Sequence, residues 1–308
     1  MREVRQAALY HLDKQACILT GLAQSCKPVF FAAVDKLLGE RGSLAFITAS
    51  REEIRAYRRE LNYFYPDLPM QELYPVSLPR VQADTQSLEL QAGRAAALRF
   101  LQGEERGIVF ITAEALQQKQ LRPSAQSNKE LRLAVGETRE QKDVVAALLE
   151  LGYERTDQVD AIGQFCLRGD ILDIFPINSG VPVRVEWFDN ELDAMRSFDV
   201  NNQRSIKTLD DIKIAALATA LDDVYEASVL DYCAARTLVV VDEPVRTFEM
   251  LDKLDKENKA DAAELFTKDE LLEQLSRSNV QLASALSHSY LSQLPALNIP
   301  VRAVAPYN

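Results

Sequence analysis

Between Gly163 and Arg204 the chain runs in short segments of alternating apolar and polar residues, each closed by turn residues. It reads GQFCLRGDILDIFP, then a short break, then PVRVEWFDNELDAMRSFDVNNQR. A helix needs apolar residues three and four apart, whereas this pattern has the two-residue period of a half-buried sheet. Gln164–Leu167 and Ile171–Phe175 flank a tight Arg168-Gly169-Asp170 turn, and Pro176 ends the second run because it has no amide to give a ladder. Asn178-Ser179-Gly180 is turn chemistry. Val183–Phe188, an Asp189-Asn190 turn and Glu191–Phe198 complete an antiparallel meander.

The third of these strands indicates what the sheet is for. Val183, Val185 and Trp187 share one face, a core face; Arg184, Glu186 and Phe188 share the other. That second face is polar except for an aromatic where water is expected. Arg184 lies on the same side, and Arg168 sits in a nearby turn. Two readings fit. One is a solvated face with a single exposed apolar residue, which is common. The other is a protein-binding patch, since arginine and aromatic residues dominate interface hot spots.

The stretch resembles the domain 2 signature shared by the excision-repair helicase UvrB and the N-terminal part of bacterial transcription-repair coupling factors. The matching positions are Gly163, Phe165, Arg168, Gly169 and the run Leu172 to Pro176. Arg184, Glu186, Trp187, Phe188, Asp189, Glu191, Leu192 and Asp193 follow, then Phe198, Asp199, Gln203 and Arg204. Trp187 stands where the family usually has Phe. So many matches in register make a specific signal. The resemblance implies a domain that docks onto UvrA, the damage-sensing ATPase of nucleotide excision repair. It implies that Arg168, Arg184 and Phe188 make the contact, with Arg196 and Arg204 as candidates to complete it.

Upstream, Cys17–Thr20 reads as a buried strand, and Gly21 to Pro28 as a loop before an apolar helix from Val29 to Leu38. Strand, loop, helix is the setting of a phosphate-binding loop with the pattern G-x-x-x-x-G-K-[ST]. Gly21 and Lys27 fit that pattern, but Cys26 replaces the second Gly and Pro28 the hydroxyl residue. Without that Gly the backbone amides cannot close on phosphate, and Pro28 offers magnesium no hydroxyl. The reading is a P-loop fold whose nucleotide site has decayed. UvrB resembles this region with an intact loop; the coupling factors have a decayed one. Thr237–Val241 followed by Asp242-Glu243-Pro244 looks like the acidic strand end that would hold magnesium. It reads equally as a relic or as a plain helix start.

Strand and helix alternate elsewhere too: a strand at Leu44–Thr48, a helix at Arg51–Phe64, a Pro-rich connector over 67–85, a helix at Gln86–Gln102 and a strand at Gly107–Thr112. In UvrB the connector begins a Tyr-rich hairpin that clamps DNA, and here only Tyr74 remains. Lys119–Asn128 reads as a polar linker, and Thr138–Leu151 as a helix with Thr138 as N-cap and Gly152 as C-cap. The expected fold is α/β: a degenerate P-loop, helicase-like parallel-sheet domain over 16–118. An α+β domain with an antiparallel sheet is inserted at 119–211. Residues 1–15, a helical arm, and 212–308 correspond to UvrB domain 1b.

Composition excludes several classes. The net charge is −11 and the pI about 4.9, so no large non-specific DNA-binding surface is expected. Cys17, Cys26, Cys166 and Cys233 lack metal-ligand spacing, and His11 and His288 have no nearby cysteine. No metal site or disulfide framework is expected, nor a secretory leader or membrane helix. By resemblance the chain is a cytoplasmic, non-catalytic N-terminal piece without a cofactor of its own. ATP, magnesium, RNA polymerase and DNA would engage motor and polymerase-binding domains further along a full-length protein, which would also mask the UvrA face. The alternative is a UvrB-like ATPase that grips damaged DNA directly.

Overall fold

The computed structural model describes residues 17–20, 27, 30, 43–76, 88–103, 106–124, 130–216, 224–234, 237–277, 281–285 and 296–298. The chain divides into two compact units. The first comprises Met1–Gln82, Ala96–Gln120 and Glu226–Asn308, and the second Ala83–Ala95 and Leu121–Tyr225. Elements are numbered along the chain.

In the first unit, β2 (Leu44–Thr48), β4 (Ile108–Thr112) and β13 (Leu238–Asp242) are buried at every position. Continuous apolar runs of this kind belong to strands covered on both faces. With β1 (Cys17–Thr20), β3 (Met70–Leu73), β14 (Gln281–Ala285) and β15 (Ala296–Asn298) they form, among the described residues, one parallel sheet in the order β15-β1-β14-β13-β2-β4-β3. Alternate side chains enter two cores. Ile47, Ile111 and Val241 pack with residues of α2 (Leu88–Gln102, from Ala96 onward), α3 (Ala113–Gln117), α5 (Pro244–Glu257) and α6 (Lys268–Arg277). Phe46, Phe110 and Val240 pack with Ile54, Tyr57 and Leu61 of α1 (Arg51–Phe64). The Phe46 ring meets the edges of Tyr57 and Phe110 at centroid distances of 5.5 and 5.8 Å. Ser50 and Glu53 close a capping box at the start of α1.

Three segments differ from the expectation. The Pro-rich connector contains β3, which pairs with β4 at the sheet edge. Its anchor is a close backbone approach: Ile108 N donates to Pro69 O at 3.0 Å, and a Cβ on Gly107 would lie 2.3 Å from the same oxygen. The linker at Lys119–Asn128 starts tied down, because Lys119 N donates to Glu264 O and Gln120 N to Ala227 O. From 212–308, β13 and β14 enter the same sheet as β2 and β1. The helical arm over 1–15 lies outside the described residues, and of the helix at Val29–Leu38 only Phe30 is described, as helical.

In the second unit, β5 (Glu130–Ala134) pairs antiparallel with β12 (Asp211–Ala215). Six strands form the second sheet, in the order β11-β10-β9-β8-β7-β6 among the described residues. They are β6 (Glu154–Arg155), β7 (Gln164–Arg168), β8 (Ile171–Ile174), β9 (Val183–Phe188), β10 (Glu191–Phe198) and β11 (Ser205–Thr208). All neighbours are antiparallel except β6 and β7. The core holds Phe165, Leu172, Val185, Trp187 and Met195 against Val144 and Leu148 of α4 (Gln141–Glu150). That helix starts three residues after Thr138, and Glu140, its N-cap, makes no side-chain cap bond. Thr138 instead bridges to Glu191, while Arg139 N donates to Asn190 O. Contact with the β9–β10 hairpin outcompetes the local cap. Gly152 takes the positive φ of +88° expected after a helix end.

Among the described residues no helix is long and apolar enough to cross a membrane.

Candidate protein-binding face and a sealed strand-end cluster

β9 alternates as its sequence requires. Val183, Val185 and Trp187 are buried, and Phe188 on the other face is 73% exposed. Trp187 is accommodated in the core because its Nε1 donates to Arg139 O at 2.9 Å. The β7–β8 turn places Gly169 at φ +58°, a conformation open to glycine, and so brings Arg168 opposite Ile171.

The arginines of this face are organised by a residue the sequence reading matched but gave no role. Asp173 on β8 stands directly between Cys166 on β7 and Arg184 on β9. Its side chain is 3% exposed. Arg184 Nε donates to Asp173 Oδ1 at 2.6 Å, and Nη2 to Oδ2 at 2.8 Å, a parallel two-bond pair. Arg168 Nη2 donates to the same Oδ2 at 2.9 Å. Arg184 Nη2 also donates to Gln203 Oε1 at 3.2 Å, and its guanidinium lies 4.8 Å from the Phe198 ring centre. The hydrogen bonds to Asp173 push Arg184 above the ordinary guanidinium range, outweighing its partial desolvation.

Arg184 is thus largely enclosed, 19% exposed, while Arg168 is 55% exposed. Arg196, directly opposite Arg184 on β10, is paired with Glu186. Arg204 sits at the end of the turn that starts at Asp199, whose N donates to Arg204 O. Exposed Ile171 on β8 and Ile206 on β11 add apolar surface that the sequence reading did not single out. Their exposure follows from strand register, which a single strand's sequence does not reveal.

The second constellation lies at the carboxyl ends of the parallel strands, where α/β sheets hold ligands. Of the residues the sequence assigns to the loop, Lys27 is described, as helical and buried; Gly21, Cys26 and Pro28 lie outside the described residues. Lys27 Nζ donates to Asp242 Oδ1 at 2.8 Å and to Glu243. The Tyr57 hydroxyl donates to the other Asp242 oxygen, and Thr247 Oγ1 donates to Asp242 O at 2.7 Å. Glu243 takes a left-handed φ of +43° as N-cap of α5, and Pro244 opens that helix. Nearby, Glu53 accepts from Ala49 N and Ser50 N, and its Oε1 lies 2.8 Å from Arg246 Nη1 in an ion pair without hydrogen-bond alignment. Burial pushes the Glu53 carboxyl up, with Arg246 opposing and Asp242 adding to the rise. One buried ammonium is therefore held against two carboxylates, of which Asp242 is buried and Glu243 partly exposed. Among the described residues no cluster of His, Cys, Asp or Glu has the arrangement to hold a metal ion.

A meander whose outer face carries an exposed aromatic beside Asp173-braced arginines defines a class: residues 131–219 match the family described as the UvrB interaction domain. The wider chain is similar to transcription-repair-coupling factors, as the sequence signature implied. It is 35% identical to that of Bacillus subtilis (strain 168) over 199 residues, 64% of this chain and 17% of the relative. It is 30% identical to that of Staphylococcus aureus (strain MRSA252) over 218 residues, 70% of this chain and 18% of the relative. To that of Staphylococcus haemolyticus (strain JCSC1435) it is 30% identical over 261 residues, 84% and 21%. The matches span about a fifth of the length of these relatives.

Proposed function

We propose that this chain is the UvrA-recruiting module of a transcription-repair coupling factor and has no catalytic activity of its own. The carrying observation is Phe188, 73% exposed on an ordered strand of the UvrB interaction domain. Around it, two guanidiniums share one carboxylate, which leaves surplus positive charge for an acidic partner surface. Arg168, Arg184 and Phe188 form the contact, with Arg196 and Arg204 at its margin.

The degenerate P-loop unit is a scaffold. Lys27, the residue a working loop would direct at phosphate, is spent on Asp242 and Glu243. This argues against the reading as a UvrB-like ATPase gripping damaged DNA. ATP, magnesium, RNA polymerase and DNA belong in this proposal to other parts of a longer cytoplasmic protein, which also masks the UvrA face within the chain. The proposal keeps 119–211 as the inserted docking domain and 1–15 with 212–308 as the 1b-like region, with strands of 212–308 completing the parallel sheet of 16–118.

The test is binding of purified UvrA to this chain at moderate salt, wild type beside Arg184→Ala and Phe188→Ala. Each truncation is expected to cost roughly 2 kcal/mol or more if these are central anchors. A folded wild type that does not bind, or two variants that bind like it, sinks the proposal. A calorimetric titration with ATP and magnesium checks the scaffold role, and saturable binding would revive the ATPase.

A further inference from the structure

The three signature residues of the outer face are not equivalent in the structure. Phe188 projects into solvent and Arg168 is more than half exposed, but Arg184 is four-fifths enclosed. Its Nε is spent on Asp173, and both hydrogens of Nη2 are spent on Asp173 and Gln203. Its guanidinium lies over the Phe198 ring. Only Nη1 is left for a partner. Gln203, which it holds, is a non-glycine residue at φ +59° in the turn between β10 and β11, with its Nε2 also donating to Val200 O. Arg184 therefore ties three parts of the sheet together: β8 through Asp173, β10 through Phe198 and the following turn through Gln203.

Asp173 is the common point. It is buried, it accepts from both guanidiniums, and a single register position puts it between β7 and β9. A long arginine on a strand loses rotamer freedom when a partner fixes it, and that cost falls on binding unless the free protein has already met it. We propose that Asp173 is the positioning residue of this face. It presets Arg168 for a partner acceptor and holds Arg184 as a brace that reaches the partner through Nη1 alone, so that Arg168 and Phe188 carry most of the contact. The partner surface this fits has an apolar socket for Phe188 beside a carboxylate or other acceptor for Arg168. The partner's identity rests on the UvrA reading above; the geometry does not.

The experiment compares wild type, Asp173→Asn, Arg168→Ala, the pair of these, and Arg184→Lys in the full chain. Asn keeps the volume of Asp173 but turns one acceptor into a donor aimed at a guanidinium. The partner-free readout is the arginine Nε–Hε NMR spectrum of arginine-labelled protein. A slow-exchanging Arg184 signal in wild type, lost in Asp173→Asn, is expected. Its persistence overturns the proposal. The second readout is UvrA titration. Asp173→Asn should weaken binding about tenfold, and Arg168→Ala should cost about fivefold in wild type but under about twofold in the Asn background, the signature of coupled residues. Binding of Asp173→Asn within about twofold of wild type, or equal Arg168→Ala costs in both backgrounds, overturns it. If Asp173→Asn does not fold, Arg184→Lys decides. Lys keeps the charge but cannot make the two parallel bonds, so wild-type affinity in that variant overturns the brace. A wild type that never binds UvrA removes the functional reading instead, and the NMR result then decides the positioning alone.

Discussion

Asp173 and Asp242 are near twins set to opposite uses. Each is an almost wholly buried aspartate on a strand, and each accepts from a cation and a second donor. Around Asp242 every partner is inside. Lys27 and Tyr57 are buried, and with Glu243 the cluster holds two carboxylates against one ammonium. A surplus negative charge beside a buried ammonium already paired opposes phosphate. Around Asp173 the partners lead outward, and the cluster holds two guanidiniums against one carboxylate. There the surplus is positive and reaches solvent. The same buried carboxylate closes off a strand end in one unit and braces the proposed docking face in the other; the sign of the excess charge and the reach of the cation set the two apart.

The largest effect should come from breaking the sealed cluster. Lys27→Met strands Asp242 beside Glu243, and loss of one partner of a buried pair costs about 3–5 kcal/mol. Urea unfolding followed by circular dichroism checks this, and Lys27→Met/Asp242→Asn should recover part of the loss. A cost under about 1 kcal/mol would mean the pair is solvated and the contrast with Asp173 false. Next is Arg184→Ala, which leaves Asp173 with Arg168 alone and frees Gln203. A loss of about 1–3 kcal/mol in stability is expected from a buried acceptor that keeps the Arg168 bond but loses both bonds from Arg184. Phe188→Ala should change stability by no more than about 0.5 kcal/mol, because its ring is exposed, while still weakening UvrA binding. A variant that instead unfolds the domain would assign Phe188 to the fold and not to a partner.

The smallest effect is a pH dependence at Glu53. Its folded carboxyl titrates above the usual 4.5, so the folded state holds its proton longer than the unfolded chain does. Stability from this group is therefore present below that value and declines as pH rises through the window just above it. Glu53→Gln keeps an acceptor for the Ala49 and Ser50 amides. The stability of wild type relative to that variant should fall with rising pH across that window in paired urea titrations, and a constant difference would contradict the assignment.

Much of the molecule was legible in the residues. Leu44–Thr48, Arg51–Phe64 and Val183–Phe188 begin and end where the sequence placed them: a buried apolar run and a two-residue alternation are local signals, and the capping box that the structure shows at Ser50 is local as well. The exposed Phe188 was legible for the same reason. Thr138 misled, because a capping residue near a helix start lost to a bridge with Glu191 that no local pattern encodes. The edge strand Met70–Leu73 was hidden by flanking prolines, and its place depends on Gly107 meeting Pro69 from far along the chain.

The sequence by itself determined two things: that the Gly163–Arg204 stretch is a meander with one polar, arginine-bearing face, and that the residues around Lys27 depart from the phosphate-loop pattern at Cys26 and Pro28. Periodicity and residue chemistry suffice for both. What became of the charges was decided by tertiary structure alone. Lys27 finds Asp242 across 215 positions, and Arg184 finds Asp173 only because β8 and β9 pair in one register of several possible. Ion pairs form where the fold brings charges within a few ångströms in a dry setting, and separation along the chain carries no information about that.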